Sequence, residues 1–501
     1  MNAISKMPKD TFGGSAALQV GSYDQYRGEV DFYGPISSDG DLKYRLVGAY
    51  QQADSYIDFA HDDRTIIAPT LQYSPVEGTT ITARVNYQRF DFAPYFGIGA
   101  QFLGTSLGDP AQLVASNFRI PDVPRSRTGN APSNDALKEA TIAQVMLDQD
   151  IGSWKLRGSL QLASIDARNN GVLMFGTDRN GFTDTLAYAR DLDSDTYSGE
   201  VNLFGDVEAF GRKHTLFVGM DFAEEDWSLF SQSANYVPGS VSGFSIFNPD
   251  YSLLDIPTAQ ADFPTTVRVK RNHRMQGVTA QAMLRPADRV TLALGTRYSH
   301  DVNANQIGCC GFASPLGAES ELREDAFTYQ AGLTFAITPA VNLYASYGTT
   351  FEPQSGTLPS GAAVDPEIGK AVEVGFKADV PEHKFSYSAA LFKMERTNIA
   401  QGIAGTPYVS LVGIQSSKGI EFDFQGEVVR GWEVYGSLAA MDAEYTQGEF
   451  KGVQPSNAPK FGASLFSSYE FQQGAWRGFG FGGGVVHKAG RKTTDINSYG
   501  A

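Results

Sequence analysis

KAVEVGFKADV, residues 370–380, decides the fold. Val372, Val374, Phe376, Ala378 and Val380 occupy every second position, and Glu373, Gly375, Lys377 and Asp379 fill the positions between. A helix would scatter this pattern around its circumference, whereas a strand sends the two sets to opposite faces. The reading extends outward from there. Ile420, Phe422 and Phe424 alternate with Glu421, Asp423 and Gln425, and Val290, Leu292 and Leu294 with Thr291, Ala293 and Gly295. Val341, Leu343, Ala345 and Tyr347 likewise alternate with Asn342, Tyr344, Ser346 and Gly348.

Alternation alone is compatible with a soluble sandwich. Two further features argue for a membrane barrel. Many of the strands run to about 10 residues or more, the length a tilted membrane strand needs, where soluble strands average about 5–6. The connections also alternate in length. Short polar turns fall at Ser37–Asp41, Ser74–Gly78, Ile151–Ser153, Phe210–Lys213, Arg285–Asp288, Thr338–Ala340, Pro381–His383, Val429–Gly431 and Gln472–Ala475. Between them the sequence predicts long connections at Asp54–Thr65, Asp91–Leu137, Ile165–Asp193, Trp227–Pro264, Asp301–Glu324, Phe351–Gly369, Thr397–Gln415 and Tyr445–Ala458. Short turns on one side and long loops on the other are the habit of bacterial outer-membrane barrels. The sequence predicts an all-β, antiparallel transmembrane β-barrel of about 19 strands, from the segment near Ala16–Tyr23 to the one near Gly478–Val486.

Composition narrows the function. No apolar run reaches the 18 or so residues of a membrane helix. With 53 Gly, 33 Phe and 23 Tyr, the chain has the makeup of a turn-rich β protein. Its net charge of −16 disfavours nucleic acid as a partner, and no dense Lys/Arg stripe is read that would reverse this locally. Cys309 and Cys310 are adjacent, so neither a disulfide framework nor a metal cluster is available; a strained bridge and two free thiols in a loop both stay open.

Chemistry-bearing motifs are scarce. Gly478, Gly480 and Gly483 fit G-x-G-x-x-G, but they alternate with Phe479 and Phe481 and no helical pattern follows, so they read as one strand. The six histidines, His61, His214, His273, His300, His383 and His487, are scattered without ligand spacing. No catalytic residue, cofactor-binding residue or metal ligand is assigned, and an enzyme is not expected. Glu373, Glu421 and Asp423 recur at period two and read as a solvated lumen wall. The candidate ligand contacts are aromatic residues in long connections: Tyr95, Phe96 and Phe102 first, then Trp227, Phe230 and Tyr236. Tyr347 and Phe351 are assigned to an interfacial girdle.

Several segments resemble TonB-dependent ferric-siderophore receptors, most closely those for hydroxamate-type siderophores. NAISKMP at 2–8 resembles the end of the plug as it enters the barrel, and LQVGSYDQYRGEVDFYG at 18–34 the first hairpin. YRLVGAYQQADSY at 44–56, FEPQSG at 351–356, DPE at 365–367, RTN at 396–398 and QSSKGIE at 415–421 follow in family order. The resemblance implies residues 1–13 as the plug–barrel junction and 14–501 as the barrel, with the plug essentially absent and about 19 of 22 strands present. It also implies a record cut at both ends, whose open sheet would leave unpaired edges in lipid. Further implied are an outer-membrane location, a ferric siderophore as transported ligand with no covalently bound cofactor, and TonB, with ExbB and ExbD, as partners acting on the absent N-terminal segment. Alternatives are a passive porin or surface-docking barrel, and TonB-dependent uptake of cobalamin, haem or a carbohydrate.

Overall fold

The computed structural model describes residues 5–93, 124, 126–127, 131–177, 183–235, 244–245, 247–254, 265–311, 315–354, 356, 358–360, 364–381, 384–403, 409–411, 413–448, 450–455 and 457–490. Nineteen strands form one antiparallel sheet. The first nine are β1 Gly13–Gly21, β2 Gln25–Pro35, β3 Leu42–Gln52, β4 Asp62–Val76, β5 Thr79–Phe92, β6 Asp135–Ile151, β7 Trp154–Thr177, β8 Thr183–Ala209 and β9 Arg212–Asn235. Then come β10 Thr265–Ala287, β11 Val290–Gly311, β12 Ser320–Thr338, β13 Val341–Glu352, β14 Glu367–Val380 and β15 Phe385–Thr397. A small separate hairpin pairs β16 Ala400–Gly402 with β17 Val409–Leu411. The sheet resumes with β18 Gln415–Val429, β19 Trp432–Tyr445, β20 Phe461–Glu470 and β21 Gly480–Ala489. Among the described residues the named helical pieces are two 3-10 turns, Tyr251–Leu253 and Gly474–Trp476.

The chain divides into two compact units. The first comprises residues 1–203, 220–276 and 302–323, and holds the N-terminal segment and β1–β7. The second comprises residues 204–219, 277–301 and 324–501, and holds β13–β21.

Register explains why the deciding stretch is a strand. Across β13, β14, β15, β18 and β19, Ala345, Val374, Leu391, Ile420 and Ala440 stand opposite one another in turn. One face of the sheet is therefore a continuous apolar band. It is exposed: Leu391 keeps 56% and Ile420 49% of its surface, and Phe327 on β12 keeps 71%. A band of this kind would drive association in water, but hydrocarbon solvates it. The other face is polar. There the Tyr344 hydroxyl donates to Glu373 and the Ser388 hydroxyl to Asp423 at 3.4 Å. Gly375 is required where the Tyr344 ring lies down, because a Cβ would come within 2.3 Å of the Ala389 carbonyl oxygen.

Two readings of the connections change. The stretches 165–177 and 183–193 are strand, not loop, so β7 and β8 are 24 and 27 residues long. Trp227 and Phe230 are likewise inside β9, and Cys309 and Cys310 inside β11. A membrane crossing needs only about 9–11 residues. Beyond it both faces of a strand meet water, so the apolar alternation fades while the hydrogen-bonded ladder continues. Gly480 and Gly483 fall in β21, but Gly478 precedes it in a turn with φ +84°, so the one-strand reading of the glycine motif holds only from Gly480 onward.

Candidate functional site

β9 and β10 are hydrogen-bonded neighbours. Near its turn, β9 carries Val218, Met220 and Phe222 on the exposed apolar face. Past that point it reads Glu224-Glu225-Asp226-Trp227, and β10 answers with Arg268, Lys270, Arg271, Asn272 and Arg274. The two stripes neutralise each other across the ladder. Glu225 accepts from Arg271 Nη2 at 3.1 Å and from the Ser194 hydroxyl at 3.1 Å. Asn272 Nδ2 donates to Glu224 at 3.0 Å and Asp226 at 2.8 Å, and Arg274 lies 4.0 Å from Glu321.

The basic run VRVKRNHR, residues 267–274, divides between the two faces of β10 and is balanced by the acidic residues of β9, so it does not reverse the acidic balance of the chain locally.

The candidate aromatic residues divide in two. Tyr95, Phe96, Phe102 and Tyr236 lie outside the described residues. Trp227 and Phe230 are described, and their spacing of three on a strand puts them on opposite faces. Trp227 shares the Glu225 face, with the Arg271 guanidinium over its ring at 5.2 Å. Phe230 shares the face of Val218 and Met220, with Arg268 over it at 5.0 Å. Trp227 and Arg271 also touch the edge of a hollow of about 430 Å³, but the rest of its lining on these two strands, Asp226, Ser228, Lys270 and Asn272, has the parity of the Phe230 face.

Tyr347 lies against Tyr329, ring centroids 5.9 Å apart, and Tyr298 against Phe327 at 4.9 Å. These residues stand at the long-connection end of the apolar face, where an interfacial aromatic belt belongs, and Phe351 has the same parity on β13.

Glu324 lies on β12 beyond this belt, towards the Ser320 end. It is buried, and its Oε2 has no hydrogen-bond partner among the described residues. Burial, with Asp301 and then Asp365 adding like charge, pushes its pKa up to about 7 from the usual 4.5. The folded chain therefore holds this proton over a pH range where the unfolded chain has lost it. Stability falls as pH rises from about 4.5 to about 7, and the term is flat below that window. Glu324→Gln removes the titration. Its melting temperature in detergent is expected to gain on that of the unmodified chain between pH 5 and pH 8; parallel curves would show that the carboxyl is solvated.

Residues 72–501 match the family described as TonB dependent receptor-like, beta-barrel. The chain belongs to that family. Its members are receptors rather than enzymes, and they sit in the outer membrane, so the apolar face meets lipid and the polar face lines the lumen. The metal-pseudopaline receptor of Pseudomonas aeruginosa is 25% identical over 523 residues, which cover 100% of this chain and 68% of the relative. The ferrichrome outer membrane transporter/phage receptor of Escherichia coli is 23% identical, covering 100% of this chain and 67% of the relative. For the ferric-pyoverdine 358 receptor of Pseudomonas putida the figures are 23%, 97% and 58%. The chain thus spans between 58% and 68% of the length of these relatives.

The fold agrees with solved structures. The siderophore receptor PiuA from Acinetobacter baumannii superposes with a TM-score of 0.78 at 18% identity, over 97% of this chain and 72% of that one. The ferripyoverdine receptor of Pseudomonas aeruginosa gives 0.75 at 20%, over 96% and 62%.

Proposed function

We propose that this chain is the barrel of a receptor that takes up ferric siderophores across the outer membrane, driven by TonB with ExbB and ExbD. The observation that carries the reading is the match along essentially the whole chain to relatives named as ferrichrome, ferric-pyoverdine and metal-pseudopaline receptors. Iron would travel inside its chelate, so the protein needs a surface for the chelate and no iron ligands of its own. Trp227 and Arg271 on the lumen face supply such a surface: a flat ring and a delocalised cation suit an anionic, partly apolar chelate. The loop aromatics Tyr95, Phe96, Phe102 and Tyr236 are proposed to contribute from the long connections, and Phe230 less, because it faces outward. Residues 1–13 are proposed as the plug–barrel junction. The N-terminal segment is held to the lumen face there by Lys6 on Asp31 at 2.8 Å and by Arg45 Nη1 on the Met7 carbonyl at 2.8 Å.

The test is uptake of iron-55 chelates by cells deleted for the gene and complemented with the full receptor or its variants. Complementation should restore uptake of at least one ferric siderophore class. Trp227→Ala should raise the half-saturating concentration about thirtyfold, the size of a lost aromatic hot spot of about 2 kcal/mol. Phe230→Ala should leave it unchanged. Uptake of hydroxamate, catecholate and mixed chelates that is indifferent to the deletion would remove the siderophore reading. Equal effects of the two alanine variants would remove the assignment of faces.

A further inference from the structure

Three strand ends meet on the side of β4, β5 and β6 that carries the long connections. His61 directly precedes β4, Asp91 is the penultimate residue of β5, and Asp135 is the first of β6. Register places Asp63 opposite Asp91 and Asp91 opposite Leu137, so all three residues have the parity of one face. It is the outward face, which carries Ile67, Ile81 and Val145 nearer the turns. One imidazole nitrogen and one oxygen from each carboxylate lie within 4.8 Å of one another.

We propose that His61, Asp91 and Asp135 bind a divalent transition-metal ion, of the class of Zn²⁺, on the outer rim of the barrel. The plain alternative is an ion pair between His61 and Asp91. It accounts for only two of the three groups. The Asp135 carboxylate stands beside that of Asp91, and among the described residues no lysine or arginine pairs with it. Two carboxylates at this spacing repel unless a cation lies between them.

The donor set favours a borderline ion. Ca²⁺ wants about six to eight oxygens. Zn²⁺ takes imidazole and carboxylate together at about 2.0–2.2 Å, which sets tetrahedral donors about 3.3 Å apart. His61 Nε2 and Asp91 Oδ1 already stand 3.4 Å apart. With His61 neutral, the two carboxylates carry the charge that balances a divalent cation. Arg89 lies 3.6 Å from the other Asp91 oxygen and 3.4 Å from Glu139, an outer layer that orients the ligand without occupying its donor atom.

The backbone holds the donors in place. The His61 carbonyl accepts from Ala93 N at 3.2 Å, Asp62 N donates to the Ala53 carbonyl at 2.8 Å, and His61 bridges to Asp54. The site thus rests on ladder ends rather than loop tips, where designed sites also hold their geometry best.

The experiment is calorimetric titration of the full chain, folded in detergent and stripped with chelator, using ZnCl₂ alone. One saturable site is expected. Asp135→Asn, nearly the same shape, should weaken it at least tenfold, and His61→Ala should do the same. Asp150→Asn, at the turn end of β6 and outside both the donor set and its outer layer, should change it less than threefold. Co²⁺ in place of Zn²⁺ should give a visible absorption band that Asp135→Asn abolishes, and circular dichroism of each variant verifies folding. Absence of a saturable site overturns the proposal. So does a site that survives both ligand variants, or one from which Ca²⁺ at equal concentration displaces Zn²⁺.

Discussion

Arg45→Ala is expected to cost about 3 kcal/mol of stability, the lower end of the range for leaving one member of a buried ion pair alone. Asp31 and Arg45 each keep 9% of their surface. The guanidinium meets the carboxylate with two nitrogens, Nε at 2.8 Å and Nη2 at 2.7 Å, a paired geometry no other side chain reproduces. Lys6 would remain on Asp31, but its side chain is 59% exposed and cannot replace a buried fork. Arg45 also holds the Met7 carbonyl, and its guanidinium stacks over the Tyr33 ring at 4.9 Å. The variant should therefore melt earlier, and its released N-terminal segment should be cut faster by trypsin at the already exposed Lys9. Asp31→Ala added to Arg45→Ala should recover part of the loss, because no lone charge is then left behind. If the double variant melts below the single one, packing rather than charge holds the junction.

The second large effect is on ligand capture. Arg271→Ala should weaken binding of the transported chelate by tenfold to a hundredfold, the range of about 1.4–2.8 kcal/mol for a centrally placed anchor. It removes a positive charge from the lumen face and the cation from above Trp227. Arg271→Lys separates these contributions: lysine keeps the charge but loses the flat fork and its stacking. We expect Arg271→Lys to bind more like the alanine variant than like the original, read by quenching of intrinsic fluorescence on titration with the ferric chelate. Binding by Arg271→Lys equal to that of the original would reduce the role to charge alone. Unchanged binding by Arg271→Ala would move the ligand away from this wall.

The membrane-embedded half of the molecule is legible in the sequence. In the segment 370–380 every residue must choose between lipid and lumen, so its side chains spell the alternation. The tight turns are legible for a related reason: Gly78, Gly152, Gly211 and Gly431 have positive φ, and glycine takes that conformation without strain. Above the membrane the constraint lapses. SIDARNN, residues 164–170, is strand, yet it has no apolar face to declare it. The candidate sites lie in that illegible part. Trp227 and Phe230 look alike in sequence, and only the ladder shows that one faces inward and the other outward. Arg271 finds its partners Glu225 and Trp227 across a strand boundary, 46 residues away for the carboxylate. His61, Asp91 and Asp135 are drawn together from three strands, so no spacing rule for metal ligands could have found them.

The length of β9 constrains how this receptor can change over time. Its 24 residues form one continuous strand, and Trp227 keeps its inward aim only while it stands an odd number of positions from Met220 and Phe222, the pair that faces lipid. One inserted residue between Phe222 and Trp227 would turn the ring outward and bring Phe230 in, and would reverse every later side chain on the strand. Mutational drift on this wall is therefore channelled. A new specificity can arise here by exchanging one side chain for another, whereas gains and losses of single residues have to accumulate in the connections. A lineage comparison would see a wall of constant length with variable letters, bounded by loops that vary in both.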